Sequence, residues 1–180
     1  MVKQKTKLEN SWSKDEYKVP SSEGKYSRLQ EGENRFRILS EPLTGWLLWE
    51  DKKPTRFPID KKPLCVDKDN PVKHIWDLIV WSYDQEAIQI LELHQATVKK
   101  RLLELANDED WGDPTGYDIK ISKTGAGKET KYSVTAVPHK KVAPEILDAL
   151  NKTPINLAAL FDGGDPFEAT GAVQSGEIPF

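Results

Sequence analysis

VKHIWDLIVWSYDQEAIQILEL, residues Val72 to Leu93, decides the fold. Two apolar runs rich in Ile, Val, Leu and Trp flank the polar turn Ser82-Tyr83-Asp84-Gln85-Glu86, the pattern of a long β-hairpin. In the first arm Trp76 shares a face with Val72, Leu78 and Val80, which makes it a core residue. In the second arm the apolar phase shifts from Ile88 and Ile90 to Leu91 and Leu93. A bulge that bends the strand, as a closing barrel requires, accounts for that shift.

Upstream, Arg35-Phe36-Arg37-Ile38-Leu39 alternates, with Phe36 and Ile38 on one face and both arginines on the other. Gly45-Trp46-Leu47-Leu48-Trp49 forms a second strand after the turn at Pro42 and Thr44-Gly45. Asp51 to Asn70, with Pro54, Pro58, Pro63 and many lysines, reads as a long loop of the functional or disordered kind. Residues 1–30 read as a flexible N-terminal arm in which Lys3, Lys5 and Lys7 can touch phosphates. Downstream, Thr97 can cap a helix with the apolar stripe Val98, Leu102 and Leu105. A second hairpin follows, with Tyr117, Ile119 and Ile121 facing Tyr132, Val134 and Ala136 across the loop Lys123 to Glu129. Pro144 opens a short helix that docks through Ile146, Leu147 and Leu150. Beyond it, residues 153–180 read as an acidic, flexible tail.

The order strand, strand, long hairpin, helix, hairpin predicts a mainly β fold with minor α. Its expected form is an OB-fold five-stranded Greek-key barrel over residues 31–152, with the helix between the third and fourth strand elements. An open α+β sheet is the structural alternative.

A chain of 180 residues suits one domain. No run approaches the roughly 18 apolar residues of a membrane span, and MVKQKTKLEN lacks a signal peptide's apolar core, so the expected location is the cytoplasm. The single Cys65 excludes an intrachain disulfide and a thiolate-rich zinc site. The net charge of −3 argues against a nucleic-acid partner only until its distribution is considered. Asp162, Asp165, Glu168 and Glu177 fall in a tail with no Lys or Arg. Without them the body carries 26 basic against 25 acidic residues and has room for a basic face.

Catalytic templates fail. Gly125-Ala126-Gly127-Lys128 lacks the first Gly and the final Ser or Thr of a phosphate-binding loop. Asp67 and Asp69 lack the rest of a calcium loop. His74, His94 and His139 are scattered. A metal-dependent nuclease would have to rely on Asp108, Glu109 and Asp110, in a helix-ending loop with no second acidic cluster. The expectation is a protein that is not an enzyme and binds neither cofactor nor metal.

The aromatic and basic residues say more. Trp46, Trp49, Phe57, Trp81 and Tyr83 lie among Arg35, Arg37, Arg56, Lys73, Lys120, Lys123, Lys128 and Lys131. Rings that stack on bases, with cations that follow phosphates, are the parts of a sequence-independent single-strand binder. For Trp46, Trp49, Trp81 and Tyr83, a place in the core is the competing reading; Trp111 packs locally. At the far end, Glu177-Ile178-Pro179-Phe180 has the form of a docking peptide. Phe180 suits an apolar pocket, and Glu177 with the terminal carboxylate suits basic groups.

That tip resembles the acidic Ile-Pro-Phe tip of bacterial single-stranded DNA-binding proteins, which recruits replication and repair partners. The body resembles the OB-fold single-stranded DNA-binding proteins of bacteriophages. The likeness runs from Gly32-Glu-Asn-Arg-Phe-Arg-Ile-Leu through Gly45-Trp-Leu-Leu-Trp, Ile88-Gln-Ile-Leu-Glu-Leu, Trp111-Gly-Asp-Pro and Tyr117-Asp-Ile-Lys-Ile to Tyr132-Ser-Val-Thr. It implies coating of single-stranded DNA in phage replication, recombination or repair, in the cytoplasm of a bacterial host, with replication or recombination proteins docked at the tip. Two departures stand out: only one acid immediately precedes Ile178, and one cysteine cannot build the zinc knuckle of some phage relatives. The competing functional reading is an adaptor of the replication machinery that does not touch DNA. The oligomeric state is left open.

Overall fold

The computed structural model describes residues 24–65 and 67–168. Lys3, Lys5, Lys7 and the tip Glu177 to Phe180 lie outside them. Among the described residues the fold is mainly β, a single mixed sheet of eight strands with two α-helices. The strands are β1 (Tyr26–Ser27), β2 (Gly32–Ile38), β3 (Leu43–Glu50), β4 (Lys53–Pro58), β5 (Lys73–Ser82), β6 (Ala87–Leu93), β7 (Asp118–Thr124) and β8 (Lys131–Ala136). Helix α1 spans Ala96–Ala106 and α2 spans Pro144–Lys152.

The central hairpin is β5 and β6, in one unbroken register from Trp76 opposite Leu93 to Ser82 opposite Ala87. The bulge expected in its second arm is therefore absent. The phase shift has another cause: both faces of β6 are covered. Leu91 and Leu93 enter the main core, while Ile88 enters a second cluster on the opposite face.

The sheet's interruption lies instead between β2 and β3, which run end to end along one edge of β5. Phe36 to Ile38 pair with Ser82 to Val80, and Leu43 to Leu47 pair with Asp77 to Lys73. Between them, Leu39 N donates to Ile79 O at 2.8 Å and Ile79 N donates to Ser40 Oγ at 2.9 Å. Ser40, Glu41 and Pro42 thus stand against Leu78 alone. Pro42 has no N–H to offer a ladder, so the strand breaks there and resumes.

The long loop expected at Asp51 to Asn70 contains a strand. β4 pairs with β3 from Glu50–Lys53 to Gly45–Pro58. Asp51 and Lys52 make the tight turn with φ of 48° and 64°, the left-handed pair that a two-residue hairpin needs. Pro54 and Pro58 are tolerated because β4 is an edge strand, paired only with β3.

The sheet does not close into the expected five-stranded barrel. β2 pairs with β5 and β7, β7 pairs with β8, and β6 is followed by β1 in parallel. Among the described residues β6 and β8 share no ladder. The edge of β6 that would meet β8 is already used: Ile90 N donates to Lys25 O at 2.9 Å, and Tyr26 and Ser27 pair with Ile90 and Leu91. Helix α1 packs against β8. Its Val98, Leu102 and Leu105 join Phe36, Ile38, Trp76, Leu78, Val80, Leu91, Leu93, Ile119, Ile121 and Val134 in one buried cluster, which places Trp76 in the core as expected. Gln95 precedes the helix without a side-chain cap, and Thr97 lies inside the first turn, so the expected Thr97 cap is not formed.

The other face of the central hairpin is covered by the C-terminal segment. Ile146 and Leu150 of α2 pack with Leu39, Ile79, Trp81 and Ile88, while Leu147 is exposed. Leu157–Asp162 then forms a 3₁₀ turn against β4. Lys25 pairs with Asp165 at 3.2 Å. Packing therefore continues on both sides of residues 31–152.

Candidate nucleic-acid interface

The thirteen side chains singled out as DNA ligands separate into groups. Arg35, Arg37 and Tyr83 converge on one internal acid. Asp118 accepts from Arg35 Nη2 at 2.7 Å and Nε at 3.1 Å, from Arg37 Nη1 at 3.3 Å and from Tyr83 Oη at 2.9 Å. Arg37 is only 2% exposed, and its remaining donors reach Thr115 O at 3.0 Å and Lys140 O at 2.6 Å. No donor of this guanidinium faces solvent, so the phosphate role expected for Arg37 is corrected to a structural one. Burial, then the bond to Asp118, pushes the Tyr83 phenol up to about 12, which keeps it a neutral donor. The Arg35 guanidinium lies 4.9 Å from the Tyr83 ring centroid, occupying a face that a base would need.

Trp81 is also redirected. It packs with Ile88, Ile146 and Leu150 beneath α2, so the first arm of the hairpin does not present it freely to bases. The cause is the segment from Pro144 onward. Its docking residues were visible in the sequence, but the face they cover was not.

Trp46 and Phe57 are cross-strand partners on the β3–β4 hairpin. Trp46 Nε1 donates to Ile59 O at 2.9 Å, Lys62 Nζ lies 4.5 Å from its ring centroid, and His74 meets it edge-on. Lys120 faces Glu33 at 3.5 Å. Lys128 and Lys131 are exposed at the β7–β8 turn and Lys73 at the start of β5.

Three of the expected residues do meet. Trp49 from β3, Arg56 from β4 and Lys123 from β7 line a groove of about 440 Å³, with Tyr26, Arg28, His94 and Tyr132. The groove lies where β6 and β8 fail to pair, so open sheet geometry creates it. Trp49 is 47% exposed and offers a ring to solvent. Arg28 and Lys123 have no ion-pair partner among the described residues. Arg56 donates through Nε to Glu92 Oε2 at 2.6 Å. Partial desolvation by the groove walls, then Lys73, lowers the His94 pKa, so His94 is neutral at pH 7.

Tyr26, Arg28 and Tyr132 were not singled out from the sequence. Tyr26 and Arg28 fall in what reads as an arm, and Tyr132 falls on the apolar phase of β8. The signal that could have found the first two is the chemistry of Tyr26-Ser27-Arg28 just ahead of β2.

Asp108, Glu109 and Asp110 do not form a metal-holding group. Among the described residues no three His, Cys, Asp or Glu side chains come together in that way. Asp108 Oδ1 instead accepts from Asp110 N at 2.8 Å and Trp111 N at 3.3 Å, closing the turn after α1. No helix among the described residues is long and apolar enough to cross a membrane. Comparison with protein families, with curated proteins and with solved structures finds no match to this chain.

Proposed function

We propose that this chain is an OB-type single-stranded DNA-binding protein. It coats single strands without sequence preference during replication, recombination or repair, and it recruits partner proteins through Glu177 to Phe180. The observation that carries the reading is the groove between β6 and β8, which gathers the rings of Tyr26, Trp49 and Tyr132 with the cations Arg28, Arg56 and Lys123. Bases stacked on such rings gain about 1 to 3 kcal/mol each, and every base has a π-face, so the gain tolerates any sequence. The cations hold phosphates by long-range attraction and release counterions on binding.

The strand order supports the same reading. With β2 and β3 taken as one broken first strand, β5, β6, β7 and β8 follow as second to fifth. The helix sits between third and fourth, and the fourth strand pairs with the first. This is the OB connection with its final ladder left open. In that scheme the β4 hairpin is an elaborated loop between first and second strands. It and the β7–β8 turn flank the groove as the two gripping loops of the fold.

A gel-shift series comparing oligo-dT, duplex DNA and RNA tests the reading: oligo-dT is retained most strongly, and no retention of oligo-dT at low salt would defeat it. The adaptor reading is kept for one observation. A second groove of about 470 Å³, lined by Trp76, Leu78, Leu102 and Leu103, opens between α1 and the break at Ser40 to Pro42 and is mostly apolar. An adaptor shows no tryptophan quenching with oligo-dT.

A further inference from the structure

Asp77 is 1% exposed, and neither of its carboxylate oxygens has a hydrogen-bond partner among the described residues. Its cross-strand neighbour is another acid, Glu92. Glu92 in turn accepts from Arg56 and, with Arg56, lines the groove. Two like charges side by side in a buried site, with one neighbouring cation, are costly. Sharing a proton removes one charge and turns an unpaired acceptor into a donor.

We propose that Asp77 holds a proton shared with Glu92, and that this proton fixes the charge of the groove by leaving Arg56 matched by one negative charge rather than two. Asp77 acts here as a positioning residue, since it reaches the groove only through Glu92 and Arg56. The inference rests on the single-strand reading of that groove.

The surroundings agree. From β6 Asp77 is faced by Glu92, from β4 by Arg56 and from β1 by the Tyr26 hydroxyl; the Lys25–Asp165 ion pair and His94 with Lys73 lie further out. Opposite Asp77 on β3 stands Leu43, which offers no side-chain donor. Burial first, then Glu92, pushes the Asp77 carboxyl up to about 8 against the pull of Arg56. At neutral pH the pair carries one negative charge. Above pH 8 it carries two, and the wall beside the phosphates becomes more negative.

The test uses the full chain and fluorescein-labelled oligo-dT at fixed ionic strength from pH 6.5 to 9.5. One added negative charge about 8 Å from a phosphate in a mostly aqueous groove weakens binding about two- to threefold. Wild type loses that factor through pH 8. Asp77→Asn, which mimics the protonated acid, shows only the drift common to both proteins. The same pH response in both overturns the proposal. A second readout needs no DNA: carboxyl carbon NMR places the Asp77 titration near 8 and, in Glu92→Gln, at a lower pH. A midpoint near 4 in wild type overturns the proposal even if binding is pH-dependent. An Asp77 midpoint near 8 with no oligo-dT binding at any pH refutes the single-strand reading, and the role in DNA binding falls with it.

Discussion

Replacing Trp49 and Trp81 one at a time separates a ring used for binding from a ring used for packing. Trp49 is 47% exposed in the groove, so Trp49→Ala removes one stacking platform. At about 1 to 3 kcal/mol per stacked base, affinity for oligo-dT falls by roughly 5- to 150-fold. The stability loss is smaller. About half of a tryptophan's surface, on the order of 100 Å², is buried there, which at about 25 cal/mol per Å² bounds the loss near 2.5 kcal/mol. Trp81→Ala does the reverse. It opens a space beneath α2 among Ile88, Ile146 and Leu150, and removing this partly buried ring from the cluster costs up to about 3 to 5 kcal/mol. Its affinity stays within about twofold of wild type. Urea denaturation gives the stabilities, and fluorescence anisotropy with labelled oligo-dT at low salt gives the affinities of the folded proteins. Trp49→Ala binding as wild type binds, or folded Trp81→Ala losing more affinity than Trp49→Ala, would show that the DNA face has been assigned to the wrong side of the sheet.

Three further outcomes are expected. The Asp77 carboxyl has a folded-state pKa near 8 against an ordinary value of 3.8, so folding takes up a proton between them. Its contribution is fully present below pH 3.8 and is lost as pH rises through 8; Asp77→Asn should thus match wild type at pH 4 and exceed it by a few kcal/mol at pH 8 in urea titrations. Equal pH dependence in the two would contradict a raised pKa. Gly45→Ala puts a Cβ 2.5 Å from Phe57 O and 2.9 Å from Phe161 Cε1, and should cost about 1 to 3 kcal/mol in the same assay, because the first contact is backbone. A neutral effect would mean that β4 and the 3₁₀ turn are not held against β3. Arg37→Met leaves Asp118 with two partners instead of three and removes donors from two backbone carbonyls. Losing one partner of a buried ion pair costs about 3 to 5 kcal/mol, so stability falls while affinity of the folded fraction holds; loss of affinity at unchanged stability would return Arg37 to the DNA.

The alternation of Ile119 and Ile121 with Asp118 and Lys120, and of Phe36 and Ile38 with the arginines, was enough to set β7 and β2 and their core faces. It could not show what the polar phase would be used for. Arg35 and Arg37 look like phosphate ligands until Asp118, more than 80 residues away, is placed opposite them. β4 was hidden because Pro54, Pro58 and four nearby lysines are the residues of a loop, and only its position on an edge makes them acceptable in a strand. The phase shift in β6 was visible, but a strand covered on both faces gives the same pattern as a bulge. Of the groove, Trp49, Arg56 and Lys123 were legible as chemistry. Their meeting place was not, since it depends on β6 and β8 failing to pair and on Tyr26 taking the edge that closure would use.

A salt titration of oligo-dT binding to the full chain, followed by tryptophan fluorescence, tests the central claim most directly. The account predicts saturable quenching that Trp49→Ala largely removes. It also predicts an affinity that falls linearly in log-log form with a slope near −2, as about three phosphates at roughly −0.7 each require. No quenching at low salt, or an affinity indifferent to salt, would contradict it.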